Sequence, residues 1–221
     1  AGPGIDRSLI PPELGAVWVS HDGDLVETCL WADSADYPPG TATALVLRGG
    51  EAFALRLVGA GAVAGATRSA ATKASPPRLD AKRAARPSSA TPTGGSYLYE
   101  PDPAVIRAGG IDQLAERLGA TRVNPGIAYL VGPDLVQTPF AEAFAVLDAW
   151  PYSLKALRAW TRAHEVGVLE IKCRGVDVDP AQLRRQLKLR GPAQAGVVLG
   201  PTPRGATAFV VRRVFGGRMT P

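Results

Sequence analysis

The stretch LEIKCRGVDVDPAQLRRQLKLRG, residues 169–191, decides the expected fold of the C-terminal part of the chain. Residues 169–173 have strand character and lead into a glycine turn. Asp179 is a good helix N-cap, and Pro180 suits the first helical position, where no amide donor is needed. We therefore predict a strand, a tight turn and a short helix that Gly191 ends.

The predicted helix has one apolar face and several cationic ones. Leu183 and Leu187 are spaced to lie on the apolar face. Six basic residues surround the corner between strand and helix: Lys172, Arg174, Arg184, Arg185, Lys188 and Arg190. Each of them alone is typical of a solvated helix face, but the cluster as a whole favours a surface that binds a polyanion. We predict these six residues as a set that binds a polyanion.

Charge is segregated along the chain, which carries +5 overall. Residues 1–60 have 3 basic and 8 acidic groups, and residues 61–95 have 6 and 1. Residues 96–150 have 3 and 7, whereas residues 151–221 have 13 and 4. A positive field concentrated in one part of a protein attracts nucleic acid without specifying a sequence.

Targeting features indicate a cytoplasmic protein that does not enter a membrane. The first residues have neither the basic region nor the apolar region of a secretory signal peptide, and no apolar run of about 18 residues occurs. Cys29 and Cys173 lie far apart without a CxxC partner, as expected for reduced thiols rather than a disulfide or metal framework.

The N-terminal segment predicts four strands without a strong helix between them. Residues 15–31 read as a hairpin, and the runs at 43–48 and 52–58 flank a Gly-Gly turn. Four such strands form an incomplete sheet with exposed edges and half a core. We expect residues 1–59 to be the last strands of a domain whose beginning is absent.

A glycine-rich run follows these strands. Residues 59–65 superficially resemble a dinucleotide loop, and Asp80 lies about where a ribose-binding acid would. The following sequence contains Pro76-Pro77 where a crossover helix and a second strand are required, so a linker is the better interpretation. Residues 60–95 contain almost no large apolar side chains, and we predict a disordered basic linker.

Order is predicted to return at Ser96. Residues 97–100 form a strand, and Asp102 caps a helix that starts at Pro103, continues through residues 111–118 and ends at Gly119. From Phe144 onwards the predicted order is β-α-β-α-β-β. The fold class is therefore α/β (α+β), with a small α/β sandwich at the C-terminal end whose helices lie on one face.

No catalytic constellation emerges from the sequence, and we assign neither catalytic nor metal-binding residues. Asp177 and Asp179 could bind a hard cation, but two carboxylates before a helix are more often caps and turn formers. Tyr97 and Tyr99 could stack on bases, although packing is the commoner role.

Several motifs resemble bacterial class I S-adenosylmethionine-dependent methyltransferases that carry a THUMP-like domain. The motifs are YLYEPDPAVIRAG (97–109), AYL (128–130), TPFAEAF (138–144), LKALRA (154–159) and the opening stretch at 169–191. PGID (3–6) and WVSHDGDLVETCLW (18–31) resemble the final strands of the Rossmann-like methyltransferase domain of that family. The resemblance covers nearly the whole chain apart from the linker.

The resemblance implies four segments. These are C-terminal strands of a truncated methyltransferase domain (1–59), the disordered linker (60–95), a connecting ferredoxin-like segment (96–143) and a THUMP-like domain (144–221). It also implies that the sequence is a carboxy-terminal fragment or a partial gene model. Its S-adenosylmethionine site would then be absent, and the chain would be inactive alone.

The function implied by the resemblance is RNA binding on behalf of a methyltransferase. The RNA-binding residues would be the six basic residues of the polyanion-binding set: Lys172, Arg174, Arg184, Arg185, Lys188 and Arg190. The partners of this chain would be RNA, such as tRNA or rRNA, and the missing methyltransferase domain, and S-adenosylmethionine would be the cofactor of the full-length protein only. The alternative is a docking module that packs on the methyltransferase core or on a partner protein without binding RNA. An autonomous enzyme is disfavoured, because the cofactor loop and a nucleophile are missing.

Overall fold

The computed structural model describes residues 2, 4–57 and 91–215. The glycine-rich run at 59–65 and most of the predicted linker lie outside these residues. The last part of that linker, residues 91–95, is described and includes a turn in which the amide of Gly95 donates to the carbonyl of Val146.

The first four strands form one sheet, as the sequence predicts. They are β1 (Gly15–His21), β2 (Asp24–Trp31), β3 (Ala42–Arg48) and β4 (Glu51–Leu57), in the order β2-β1-β3-β4. The two hairpins are antiparallel, and β1 pairs with β3 in parallel. Gly49 and Gly50 both have positive φ, which the two-residue turn between β3 and β4 requires.

A short 3-10 helix spans Arg7–Leu9, before β1. After β4, the described residues build a second, seven-stranded sheet and four α-helices. They are β5 (Tyr97–Pro101), α1 (Pro103–Ala108), α2 (Ile111–Leu118), β6 (Thr121–Arg122), β7 (Leu130–Gly132), β8 (Ala141–Pro151), α3 (Leu154–Ala163), β9 (Val166–Cys173), α4 (Pro180–Leu187), β10 (Ala193–Thr202) and β11 (Gly205–Phe215). The strand order is β6-β7-β5-β8-β11-β10-β9. From β8 onwards the chain follows the predicted β-α-β-α-β-β order.

Helices α3 and α4 cover one face of the second sheet. Leu157 of α3 and Leu183 and Leu187 of α4 are buried against strands β9, β10 and β11. Ser153 and Asp179 cap these two helices by accepting amide hydrogen bonds, as predicted for Asp179. The opposite face packs against the segment 123–131 through a separate apolar cluster around Phe144 and Phe209.

Residues 96–143 contribute to both sheets. Strand β5 pairs with β8 in the second sheet, whereas α1 and α2 pack on the first sheet around Trp18 and Leu55. The missing half of the first sheet's core therefore comes from helices that lie far away in sequence. The domain limits at 59, 95 and 143 stay a prediction.

The prediction that Gly191 ends the last helix is wrong. Helix α4 ends at Leu187, and Lys188 adopts the left-handed conformation (φ 50°, ψ 53°) that a glycine more often takes at a helix end. Leu189 is partly buried against the α3–α4 core, so the chain has already turned back to the sheet before it reaches Gly191.

Candidate nucleic-acid interface

The six predicted RNA-binding residues do not lie on one surface. In the second sheet Lys172 is paired with Val198, which belongs to the face that carries Phe144. Its neighbour Ile171 points into the core beneath α4. Lys172 therefore lies on the sheet face opposite α4, which carries Arg184 and Arg185. The expectation of a single cationic corner is wrong, because successive strand residues point to opposite faces.

Lys172 and Arg174 belong to a charge-balanced cluster of three cations and three carboxylates. Its members are Glu100, Glu142, Glu170, Lys172, Arg174 and Arg213. Lys172 Nζ lies 2.5 Å from Glu100 Oε2 and 3.5 Å from Glu142 Oε2, and Arg174 Nη2 lies 3.2 Å from Glu100 Oε1. Arg213 pairs with Glu142 and Glu170. The cluster neutralises itself.

The ring of Phe144 lies beneath two of these cations. Lys172 Nζ is 5.3 Å and Arg213 Cζ is 4.9 Å from the ring centroid, within cation–π distance. Glu100 and Glu142 face each other across β5 and β8, where two like charges would destabilise the pairing. The cations offset that repulsion, so their first role is structural.

Arg174 is held to this cluster electrostatically. Burial alone would lower the pKa of Arg174, but the hydrogen bond and the charge of Glu100 outweigh it, and the pKa is raised. Burial, followed by the charge of Glu100, also raises the pKa of the Tyr129 hydroxyl well above its ordinary value. Arg174 is therefore permanently cationic but already paired.

Arg184 protects the edge of the second sheet. Its Nη2 donates a 3.2 Å hydrogen bond to the carbonyl of Leu169 in β9, the outermost strand of that sheet. An edge strand offers unpaired backbone groups, and a cationic side chain over one of them blocks pairing with another chain.

Arg185, Lys188 and Arg190 are exposed and make no ion pair with any acid in the described ranges. Arg185 lies in the last turn of α4, and the other two follow that helix. Buried Leu187 and partly buried Leu189 alternate with them, which keeps both cations at the surface.

Helix α3 adds three cations that the sequence analysis missed. Lys155, Arg158 and Arg162 are spaced three and four residues apart, which places them on one stripe of the helix. This spacing is the sequence signal that could have identified them as a cationic helix face. Arg158 Nη2 donates a 2.5 Å hydrogen bond to the carbonyl of Gln186, so it also satisfies the end of α4, and no pattern in the sequence indicates that contact.

The two helices thus form one surface, here called the α3–α4 cationic face. It comprises Lys155, Arg158, Arg162, Arg185, Lys188 and Arg190. Arg162 lines a pocket with Lys188 and Arg190, and it also lines a neighbouring pocket with Lys155 and Arg158. Glu165, the acid nearest to this face in sequence, forms no ion pair among the described residues. Such a face suits contacts to phosphates.

Other candidate residues have structural roles. The carboxylate of Asp179 accepts the amide of Ala181 at the start of α4, as expected of a cap. Tyr99 is buried and its hydroxyl donates to the carbonyl of Asp134, so it packs rather than stacks on bases.

Within the described part of the chain there is no group of three or more metal-ligating side chains. Likewise, none of the helices described there is long and apolar enough to cross a membrane.

Comparison with protein families first defines the class of domain. Residues 141–213 match the family described as THUMP domain-like, and this segment runs from β8 to β11. The match covers four of the seven strands of the second sheet, together with helices α3 and α4, which carry the α3–α4 cationic face. Residues 141–213 are therefore similar to a THUMP-like domain.

Two relatives are named as S-adenosylmethionine-dependent methyltransferases. They come from the CDC 1551 / Oshkosh and ATCC 25618 / H37Rv strains of Mycobacterium tuberculosis, and each is 38% identical over 122 residues. That alignment covers 53% of this chain and 34% of the relative, so the chain spans about a third of the length of the curated relatives it matches.

A solved structure shares the fold. It is the crystal structure of a protein described as a methyltransferase from Porphyromonas gingivalis W83, with a TM-score of 0.62 and 19% identity, covering 97% of this chain and 50% of that chain. This structure shows the shared fold. The two relatives and the THUMP-like match confirm the resemblance to a bacterial S-adenosylmethionine-dependent methyltransferase with a THUMP-like domain.

Proposed function

We propose that this chain is the RNA-binding portion of a cytoplasmic S-adenosylmethionine-dependent RNA methyltransferase. The observation that carries the proposal is the contrast between two sets of cations. Those around Phe144 are neutralised by Glu100, Glu142 and Glu170, whereas Arg185, Lys188 and Arg190 are left without an acidic partner among the described residues. Cations left unpaired at the surface are available to phosphates.

The proposed interface is revised accordingly. We retain Arg185, Lys188 and Arg190 from the predicted set and add Lys155 and Arg162. Lys172, Arg174 and Arg184 are left out, because the protein's own carboxylates and the Leu169 carbonyl already engage them. Contacts of this kind read the shape and backbone of RNA more than its sequence.

The described residues do not fit S-adenosylmethionine. A Rossmann-like site needs a glycine-rich loop between a strand and the helix that follows. Gly175 is the glycine of the β9–α4 connection, and a side chain there would meet Ile127 at 2.8 Å and Pro201 at 3.3 Å, so this connection forms no open cradle for a cofactor. We therefore assign the cofactor to the full-length protein, in keeping with the names of its relatives.

A matched pair of triple variants tests the proposal. The first variant replaces Arg162, Lys188 and Arg190 with alanine, which removes three charges from the α3–α4 cationic face. The control variant replaces Arg56, Arg107 and Arg117 with alanine, which removes the same charge from exposed sites on β4, α1 and α2. Fluorescence anisotropy with bulk tRNA should show at least about tenfold weaker binding for the first variant and little change for the second. Equal losses in both would leave only a general charge effect and overturn the proposal.

A docking role is favoured by a different observation. Glu100 and Glu142 come from the acidic middle of the chain, and they pair with Lys172, Arg174 and Arg213 of the basic C-terminal part. Some of the charge segregation therefore serves internal docking. If the α3–α4 cationic face docks on a partner protein instead of RNA, the wild-type chain will bind RNA no better than the variant in which Arg162, Lys188 and Arg190 are replaced with alanine.

A further inference from the structure

The end of α3 and the segment that follows α4 line an open surface pocket of about 350 Å³. It is lined by Thr161, Arg162, Val166, Lys188, Leu189 and Arg190. Three of these six side chains are cationic, and Val166 and partly buried Leu189 supply apolar wall. The pocket thus combines concentrated positive charge with a floor that belongs to the core.

Close backbone contacts fix the position of the segment after α4. A side chain on Gly191 would lie 2.0 Å from the carbonyl oxygen of Glu165, and one on Gly167 would lie 1.9 Å from the carbonyl oxygen of Gly191. The amide of Ala193 donates a 3.0 Å hydrogen bond to the same Glu165 carbonyl. The turn that follows α3 and the turn that follows α4 are therefore held together through their backbones.

Lys188 is held in an unusual backbone conformation at this point. It is one of four residues other than glycine with positive φ in the described chain, and the left-handed region costs such a residue about 1 kcal/mol or more. Glycine or asparagine would adopt the conformation more readily. A lysine here contributes a charge to the pocket at the expense of backbone stability.

We propose that this pocket binds a single phosphate group. Arg162, Lys188 and Arg190 would contact its oxygens from two sides, and the apolar wall would accommodate an attached sugar. The proposal deepens the proposed function, on which it rests for the source of the phosphate. That source is either an internal phosphodiester of RNA or a terminal phosphate monoester.

Lys188→Asn is the informative variant, because asparagine tolerates the left-handed conformation while it removes the charge. Arg190→Gln is the second variant, and Arg117→Gln on α2 is the control. The readout is the shift of backbone amide resonances in the full 221-residue chain on titration with inorganic phosphate. We expect saturable shifts at residues 161–166 and 188–191 in wild type and in the control, and at least about fivefold weaker affinity in both pocket variants.

Short RNA oligonucleotides with and without a 5′-phosphate separate the two sources. A preference for the 5′-phosphorylated oligonucleotide that Lys188→Asn abolishes identifies a terminal monoester. Equal binding of both oligonucleotides, weakened by Lys188→Asn, identifies an internal phosphodiester. Amide resonance shifts that do not saturate with phosphate, or that spread over the whole surface, overturn the proposal of a phosphate-binding pocket, even if RNA binding persists. If wild-type chain binds phosphate in the pocket but no RNA, the proposed function fails and the pocket stands.

Discussion

The hydroxyl of Ser20 donates a 2.5 Å hydrogen bond to Oδ1 of Asp102, and both residues are buried although 82 positions separate them. Asp102 also accepts the amide of Ala104 at the start of α1 and lies 3.6 Å from Arg48 of β3. One carboxylate thus connects two strands of the first sheet to α1, which follows directly on β5 of the second. This contact helps fix the first sheet to the second.

Loss of the Ser20 hydroxyl should destabilise the protein. Ser20→Ala leaves the buried carboxylate of Asp102 with one donor fewer, and a hydrogen bond to a charged group contributes about 1.5–3 kcal/mol. Chemical denaturation should show a lower free energy of unfolding by about that amount. Ser8→Ala is the control, because it breaks a similar bond to Asp6 at the exposed surface and should leave the unfolding midpoint unchanged. Equal behaviour of the two variants would refute a coupling role for Ser20.

The ionisation of Asp102 should make stability depend on pH. Burial, only partly offset by the Ser20 and Ala104 hydrogen bonds and by Arg48, raises the pKa of Asp102 above its ordinary 3.8. A raised pKa means that the ionised form is disfavoured in the folded state. Its destabilising contribution is therefore present above the folded-state pKa and is lost as pH falls towards 3.8.

Asp102→Asn lacks this titration but keeps a side-chain acceptor for the start of α1. Unfolding free energies of wild type and Asp102→Asn should be compared from about pH 7 down to about pH 4. Wild type should gain stability relative to the variant as pH falls. A loss of relative stability over that range would mean that the fold favours the ionised form of Asp102, which contradicts a raised pKa.

Lys172 should matter for stability and not for RNA. Lys172→Met removes one of the three cations that balance Glu100, Glu142 and Glu170, and we expect a loss of about 1–2 kcal/mol because the site is partly exposed. RNA affinity in the anisotropy assay should change less than about twofold, whereas Arg190→Ala should weaken it about fivefold. The opposite ranking of these two variants would restore Lys172 to the interface.

Gly191 should be far less replaceable than Gly205, although both have positive φ. A side chain at Gly205 meets nothing within 4 Å, so Gly205→Ala costs only the left-handed conformation, about 1 kcal/mol. At Gly191 it would collide with the backbone of Glu165, and the cost should exceed that by about 3 kcal/mol or more. Thermal unfolding of both variants tests this, and similar midpoints would mean that the two turns are not locked together.

Local sequence signals predicted most of the elements. Asp102 and Asp179 were recognised as caps from the Asp-Pro pairs they form, and Leu183 and Leu187 from helical spacing. The order of elements from β8 onwards follows from the same local rules. Those rules act within a few residues, which is why they are readable from sequence alone.

The arrangement of charge was not predictable in the same way. Lys172 and Arg184 are close in sequence but lie on opposite faces of the second sheet, since strand residues alternate. The acids that neutralise Lys172 come from Glu100 and Glu142 on other strands, a pairing that only the assembled sheet reveals. Arg162 meets Lys188 through the packing of α3 beside α4.

The salt dependence of RNA binding tests the central claim most directly. The slope of log Kobs against log salt should be measured from about 0.05 to about 0.2 M NaCl for wild type, the Arg162/Lys188/Arg190→Ala variant and the Arg56/Arg107/Arg117→Ala control. Each phosphate contact contributes about 0.7–0.9 to the slope, so the first variant should lower its magnitude by about 2 and the control should not. A flat slope for wild type, or the same reduction in both variants, would contradict the assignment of the α3–α4 cationic face to RNA.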